Sequence, residues 1–175
     1  MASITTLWRR ARRLFINRCA DARDIHARLS TEALDRLAAR VAASEQRHSG
    51  ELRICIEAGL PWSYIRRDAT PRDRALTLFG KLRVWDTEHN NGVLIYLLLA
   101  EHAIELIADR GLNARVSAER WADLAKQLGN HLTDRHFEEG LNQAVDALSE
   151  LLAAHFPVDG GRKVNELPDR PVILN

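Results

Sequence analysis

Polar side chains that could bind a cation or an anion are concentrated in two short segments. Asp86, Glu88 and Asn91 share one polar segment, while Asp109 and Arg110 follow an apolar run further along the chain. Carboxylate and amide oxygens are hard ligands that suit Ca²⁺ or Mg²⁺, and a guanidinium can bind two oxygens of a phosphate. Such segments are also common as plain surface turns, because Asn-Asn-Gly favours a turn before a strand. The residue types therefore leave a cation site and an ordinary polar turn as alternatives.

The segments around these residues predict a small mixed sheet. Alternating apolar and polar residues predict a strand over residues 52–57. The apolar run 93–100 predicts a central strand covered on both faces, and a tight turn joins it to a returning strand over 103–108. A helix separates the first two strands, so these run parallel and the third runs back. The start of the first strand, residues 86–92 and residues 109–111 should therefore meet at one edge of the sheet.

The helices follow from capping signals and apolar spacing. Ser30 and Thr70-Pro71 predict helix starts, because a hydroxyl at the N-cap accepts a backbone bond and proline suits the first helical position. The second of these helices should run to about Trp85, and residues 59–69 before it should form a loop. Ser117 and Thr133 should cap two later helices. The fold class is therefore α/β: a three-layer α/β/α sandwich with a parallel βαβ unit and an antiparallel hairpin strand.

Length and composition favour one ordinary globular domain with two extensions. The chain has 175 residues, 46% hydrophobic and 28% charged, which excludes disorder over the whole chain. The net charge of +1 does not favour nucleic-acid binding. We divide the chain into a basic N-terminal arm (1–29), an α/β domain (30–157) and an extended C-terminal tail (158–175). Without a signal peptide or a membrane-spanning run, a cytoplasmic location is expected.

The two extensions and the two cysteines carry separate expectations. The arm holds seven Arg and two Asp, and could be a solvated terminus, a protein contact, or a segment on an anionic membrane with Trp8, Leu14, Phe15 and Ile16 dipping in. The tail contains Leu167 and residues 172–174, which are too apolar for a solvated terminus. It should lie extended across the domain or add to a sheet edge. Cys19 and Cys55 should be unpaired, the second buried in the first strand.

Several of these segments together resemble the TPM domain family. The resemblance covers about residues 25–156, and its most specific element is the asparagine-glycine pair that begins an apolar strand. The segments that carry it are Ser49-Gly50-Glu51-Leu52-Arg53-Ile54, Ala75–Phe79, Asn91-Gly92-Val93-Leu94-Ile95-Tyr96-Leu97, Asp109-Arg110-Gly111-Leu112 and Phe137-Glu138-Glu139-Gly140-Leu141. The variant with Trp85 to Gly92 and the tail Asn165–Asp169 resembles a short bacterial branch without signal peptide or membrane anchor, associated with LemA-type envelope proteins.

The resemblance implies an α/β/α sandwich and a choice of roles. Plant members are described as acid phosphatases, some bacterial members bind calcium, and the animal member is a receptor accessory protein. The family pattern carries over to Asp86, Asn91 and Asp109 as site residues, with Glu88 and Arg110 added from their positions. Where many members have a glutamate, this chain has Asn113.

Together, these features favour an accessory protein that binds Ca²⁺, or else Mg²⁺, through Asp86, Glu88, Asn91 and Asp109. It could act with an envelope or LemA-type partner and could touch the inner membrane face through the arm, and it would need no organic cofactor. The alternative is a metal-dependent acid phosphatase with Arg110 on the phosphate.

Overall fold

A single four-stranded mixed sheet organises the protein. The computed structural model describes residues 4–133, 136–158 and 165–175. The strands are β1 (Glu51–Glu57), β2 (Gly92–Leu98), β3 (Ala103–Ala108) and β4 (Val172–Leu174), in the order β3-β2-β1-β4. β1 runs parallel to β2 and β4, and β2 runs antiparallel to β3. The parallel pair and the hairpin predicted from the sequence are therefore both present.

Helices cover both faces of this sheet. On one face, Leu52, Ile54 and Ile56 of β1 pack with the core residues of α3 (Thr31–Ser44), α7 (Ala118–Thr133) and α8 (Phe137–His155). On the other face, Cys55 packs with residues of α4 (Trp62–Arg66) and α5 (Pro71–Lys81). Every residue of β1 and β2 is buried, and each large apolar side chain so enclosed contributes about 1.5–3 kcal/mol. The expected three-layer α/β/α sandwich is confirmed.

Three of the four predicted helix starts are present. Ser30 accepts a bond from the Ala33 N–H at 3.3 Å, Thr70 forms a capping box at the start of α5, and Ser117 accepts from the Arg120 N–H at 3.3 Å. The prediction for Thr133 was wrong, because Thr133 is the last residue of α7 and α8 begins at Phe137. α7 continues as far as Thr133, so this threonine is the end of one helix and not the cap of the next.

Two predicted boundaries also differ from the structure. Residues 59–69 are not all loop, because α4 lies within them and buries Tyr64 and Ile65. α5 ends at Lys81 instead of Trp85, and Arg83 has a φ of 55°, a left-handed conformation that a helix cannot contain. A short helix, α6 (Arg110–Asn113), follows β3.

The basic arm contains α1 (Ile4–Cys19) and α2 (Ala22–His26). Cys19 is exposed and Cys55 is buried, and both are free thiols as predicted. Within the described part of the chain, every helix is too short or too polar to cross a membrane.

The tail lies extended and adds a strand to the sheet, as the sequence predicted. β4 pairs with β1 through Cys55–Val172, Ile56–Ile173 and Glu57–Leu174. Before β4, the buried guanidinium of Arg53 donates to the carbonyl oxygens of Pro168 and Arg170. Residues 159–164 of the predicted tail lie outside the described residues.

Candidate functional site

The predicted convergence of three segments at one end of the sheet is present in the structure. β1 and β2 begin side by side, with Glu51 paired to Gly92. The Asp109 N–H donates to the Gly92 carbonyl oxygen at 2.9 Å, and Asn91 Nδ2 donates to Ser49 Oγ at 3.2 Å. We call Ser49, residues 86–92 and residues 109–111 the amino edge, because β1 and β2 both begin there.

Glycine and asparagine allow the backbone segments of the amino edge to approach closely. The Gly111 N–H donates to the Asn90 carbonyl oxygen at 2.9 Å, and a Cβ atom on Gly111 would lie 2.5 Å from that oxygen. Asn90 itself has a φ of 51°, a conformation that asparagine tolerates better than most residues. A Cβ on Gly92 would lie 1.9 Å from the Val84 carbonyl oxygen. The Asn-Asn-Gly segment is therefore required by the packing of this edge.

Asn91 and Asp109 are held by short-range hydrogen bonds. The Asn91 N–H donates to Thr87 Oγ1 at 3.1 Å, and the whole residue is buried. Asp109 is the N-cap of α6, where its Oδ1 accepts from the Arg110 N–H at 2.7 Å. The backbone of Asn91 and the side chain of Asp109 are therefore fixed by local structure, while Ser49 holds the Asn91 side chain.

Each of these two side chains has one oxygen without a hydrogen-bond partner in the part of the chain that the structure describes. Asn91 Oδ1 and Asp109 Oδ2 are both buried, and neither accepts a hydrogen bond from any described residue. A buried acceptor without a partner costs about 1–3 kcal/mol. The amino edge therefore contains two oxygens, and binding a cation or a hydrogen-bond donor to them would lower the free energy of the folded protein.

The other predicted site residues are more exposed. Asp86 and Glu88 lie on the surface in the turn between α5 and β2, and the Glu88 N–H donates to Glu166 Oε2 at 3.1 Å. Arg110 is also exposed, and its Nε donates to Asn90 Oδ1 at 3.1 Å. Among the described residues, no three His, Cys, Asp or Glu side chains are grouped so that they could hold a metal ion. Asp86, Glu88 and Asp109 thus do not form a three-carboxylate group.

Two residues at this edge were not anticipated. Ser49 contacts Asn91 and lies near the Phe156 carbonyl oxygen, while Glu166 binds the backbone of the Glu88 turn. Glu166 belongs to the tail, which also reaches the buried Glu51, whose Oε2 accepts from the Leu167 N–H at 3.3 Å. The apolar tail was the signal that could have placed Glu166 here, because a tail that joins the β1 edge must pass this end of the sheet.

Comparison with known proteins is decisive for the family. The model of the TPM domain matches residues 23–151, well over half of the chain. The chain belongs to the TPM domain family. A search of curated proteins finds no match.

Two solved structures are similar to this TPM domain. One is the NMR structure of the BA42 protein from the psychrophilic bacterium Bizionia argentinensis, with 25% identity and a TM-score of 0.73 over 83% of this chain and 94% of that one. The other is the solution NMR structure of the N-terminal domain of a protein from P. gingivalis. It has 21% identity and a TM-score of 0.58 over 73% of this chain and 78% of that one, and this likeness concerns the fold.

The opposite end of the sheet in this TPM domain is closed by α1. Asn17 Oδ1 accepts from the buried Leu60 N–H at 2.7 Å, and Asn17 Nδ2 donates to Glu101 Oε1 at 2.8 Å. Arg13 donates through Nε to Glu101 Oε1 at 2.7 Å and through Nη2 to the Ala69 carbonyl oxygen at 2.6 Å. We call these five residues the carboxyl edge, because they lie beyond the ends of β1 and β2. A cavity of about 600 Å³ beside it is lined by α1, α4 and residues 59–61.

A buried ion pair between α5 and the last residue of β1 lies next to the carboxyl edge. The Glu57 carboxylate has no exposed surface and accepts from Arg74 Nη2 at 2.5 Å and from the Tyr96 hydroxyl at 2.6 Å. Burial alone would lower the pKa of Arg74, but the Glu57 carboxylate outweighs it and raises that pKa. Burial, with the Glu57 charge added, raises the pKa of Tyr96 and brings that of Cys55 to about 12. Arg74 thus remains charged at neutral pH, while the neighbouring phenol and thiol remain neutral.

Proposed function

We propose that this TPM domain is an accessory module that binds a divalent cation, Ca²⁺ above all, at the amino edge. One observation carries the proposal: Asn91 Oδ1 and Asp109 Oδ2 are enclosed at this edge and accept no hydrogen bond from a described residue. A cation would coordinate these two oxygens, which have no partner among the described residues. Asp109 supplies a negative charge and Asn91 a neutral amide oxygen.

The chemistry of the available donors favours Ca²⁺ over Mg²⁺. Ca²⁺ takes six to eight oxygens in irregular geometry, including amide and backbone carbonyl oxygens and water, whereas Mg²⁺ demands a near-ideal octahedron. Asp109 and Asn91 supply a carboxylate and an amide oxygen, and the exposed turn carries the carboxylates of Asp86 and Glu88 nearby in sequence. Backbone carbonyls and water would complete such a site.

The accessory role is favoured over catalysis because of what surrounds the unpartnered oxygens. Ser49 and Thr87 both place a hydroxyl on Asn91, and each hydroxyl oxygen accepts an N–H of that asparagine, Ser49 from the side-chain amide and Thr87 from the backbone. An envelope or LemA-type protein as the partner follows from the family resemblance. The alternative, a metal-dependent acid phosphatase with Arg110 as the phosphate donor, predicts phosphate release that depends on the same cation.

The test compares thermal unfolding with and without millimolar Ca²⁺ in the native chain and in Asp109→Asn. Asparagine is nearly isosteric and can still accept the Arg110 N–H as an N-cap, so the fold without calcium should change little. At a calcium concentration 100 times the Kd, the native protein should gain about 2.7 kcal/mol, and Asp109→Asn should lose most of that gain. Asp123→Asn, on the exposed surface of α7, is the matched control and should keep it.

The outcomes separate the two functions. No calcium shift in the native protein, or an equal shift in Asp109→Asn, overturns cation binding at the amino edge. A parallel phosphate-release assay with a generic aryl phosphate should show no turnover. Cation-dependent turnover that Asp109→Asn abolishes would instead establish the phosphatase.

A further inference from the structure

Helix α1 presents two different faces. Arg13 and Asn17 lie on the inner face, where their side chains bond to the carboxyl edge. Trp8, Arg12 and Phe15 are spaced at i, i+4 and i+7, which places them together on the opposite face. All three are exposed. We call these three residues the outer face of α1.

The two aromatic side chains of the outer face are the most exposed large apolar residues of the described structure. Trp8 is 73% exposed and Phe15 is 69% exposed. Seven residues along a helix correspond to about 10 Å, so both rings lie along one line. Trp62 at the start of the neighbouring α4 is also exposed, at 59%. Trp8 and Phe15 share one helix face, and exposed apolar side chains grouped in this way mark an interaction surface, whereas scattered ones are ordinary.

The charges around the outer face are almost all positive. α1 contains five arginines and no acidic residue. Arg9, Arg10 and Arg13 lie within 3.7 Å of the Asp68 carboxylate. Arg12 and Arg18 are both exposed and form no hydrogen bond or ion pair with any residue that the structure describes. Arg18 follows Phe15 by about one turn of α1, at the mouth of the cavity beside the carboxyl edge. The first acidic residues after the helix are Asp21 and Asp24, which are engaged in the capping box of α2.

We propose that the outer face of α1 docks on an anionic membrane surface, with the Trp8 and Phe15 rings in the headgroup region and Arg12 and Arg18 on lipid phosphates. An amphipathic helix of aromatic and basic residues binds in the plane of such an interface, and the unpaired guanidinium groups complement its negative charge. A single convex helix face with two rings offers much less than the roughly 800 Å² per partner of a stable protein–protein interface.

The docked geometry explains why such binding would leave the domain intact. The inner face stays bonded to the domain through Arg13 and Asn17 while the outer face remains exposed. α1 would therefore dock as a preformed helix instead of folding on the membrane. The amino edge lies at the opposite end of the sheet, so membrane docking is independent of the proposed cation site. Deleting α1 would be a poor test, because it would leave the buried Leu60 N–H without the oxygen of Asn17.

The experiment measures co-sedimentation of the full chain with two kinds of vesicle. One is made of phosphatidylcholine alone and the other also contains about 30 mol% of the anionic lipid phosphatidylserine. Binding should appear with phosphatidylserine and fall steeply between about 0.1 M and 1 M salt. Arg12→Gln and Arg18→Gln should each lower the partition constant about fivefold, and about 30-fold together, since each basic residue near the surface contributes about 1 kcal/mol. Trp8→Ser with Phe15→Ser should lower it at least about tenfold.

Matched controls lie at the other end of the sheet. Trp85→Ser and Arg47→Gln change an exposed ring and an exposed guanidinium outside α1, and both should bind vesicles like the native chain. Circular dichroism should show all variants folded. Equal binding by the native chain and the Trp8/Phe15 double variant, or no binding to either vesicle, would overturn the proposal. Self-association of the native chain without vesicles, lost in the double variant, would overturn it in favour of a protein contact.

Discussion

The two ends of the central sheet differ in how their polar groups are satisfied. At the carboxyl edge, both polar ends of the Asn17 amide are bonded, and Glu101 accepts from two donors. At the amino edge, Asn91 and Asp109 each keep one buried oxygen without a partner among the described residues. Both ends are rich in polar side chains, but these two buried oxygens without a partner among the described residues lie at the amino edge and not in the network of Asn17 and Glu101.

This difference separates polar residues that hold the fold from those available to a ligand. A buried network with every group satisfied rigidifies the structure and has little to offer a cation or substrate. A buried acceptor left unmet costs stability in the free protein and recovers it when a donor or cation arrives. The carboxyl edge is therefore structural and the amino edge is the candidate site, and substitutions at the two ends should behave differently.

The largest effect is expected for the ion pair beneath the carboxyl edge. Arg74→Met removes the cation that faces the fully buried Glu57 carboxylate, and losing one partner of a buried pair costs about 3–5 kcal/mol. Urea unfolding should show this loss as a lower midpoint with an unchanged slope. Arg72→Met on the same helix is the control, because its bond to Glu105 is largely exposed and should cost at most about 1 kcal/mol. Equal losses in both variants would contradict a buried pair.

A smaller loss should follow removal of the amide that fixes α1. Asn17→Ala leaves the buried Leu60 N–H without its acceptor, at a cost of about 1–3 kcal/mol in the free energy of unfolding. Asn130→Ala, the same change at an exposed position of α7, should stay within about 0.5 kcal/mol. If Asn17→Ala matched this control, the helix would not be held at the carboxyl edge as described.

The last effect is absent at neutral pH and concerns the thiol next to the ion pair at alkaline pH. Burial raises the pKa of Cys55 from 9.0 to about 12, so the folded state holds the thiol proton more tightly than the unfolded state. The contribution is complete below pH 9 and declines as the pH rises from 9 towards 12, by about 1.4 kcal/mol per pH unit. Cys55→Ala should unfold with a shallower loss of stability over that range. Parallel slopes for the two proteins would contradict the shift.

Much of the fold could be predicted because it depends on local patterns. Alternation at 52–57 and the continuous apolar run after Gly92 identified the strands, and Ser30 and Thr70-Pro71 identified two helix starts. Strand direction then followed from connectivity, which placed residues 86–92 and 109–111 at one edge. The cap assigned to Thr133 failed because a threonine near a helix end has the same sequence signal whether it ends one helix or begins another.

The contents of the two edges could not be predicted in the same way. Asn91 and Asp109 were named from their types and positions, but their unpartnered oxygens depend on packing over many residues. The Asn17 network joins residues far apart in sequence, and Arg13 looked like one more arginine of a basic arm. Long-range satisfaction of polar groups leaves no periodic trace, so only a structure can separate structural polar residues from available ones.

The pairing of β4 with β1 has a consequence for the order of folding. Arg53 in β1 bonds to Arg170 just before β4, and 117 positions separate the two residues along the chain. Closing so long a loop costs entropy before any contact repays it, and such non-local parallel pairing is slow. During synthesis, the β1–β2–β3 unit would form first, with one side of β1 exposed until residues 172–174 emerge. In that interval the bare side of β1 is the place where a nascent chain could pair with the wrong strand.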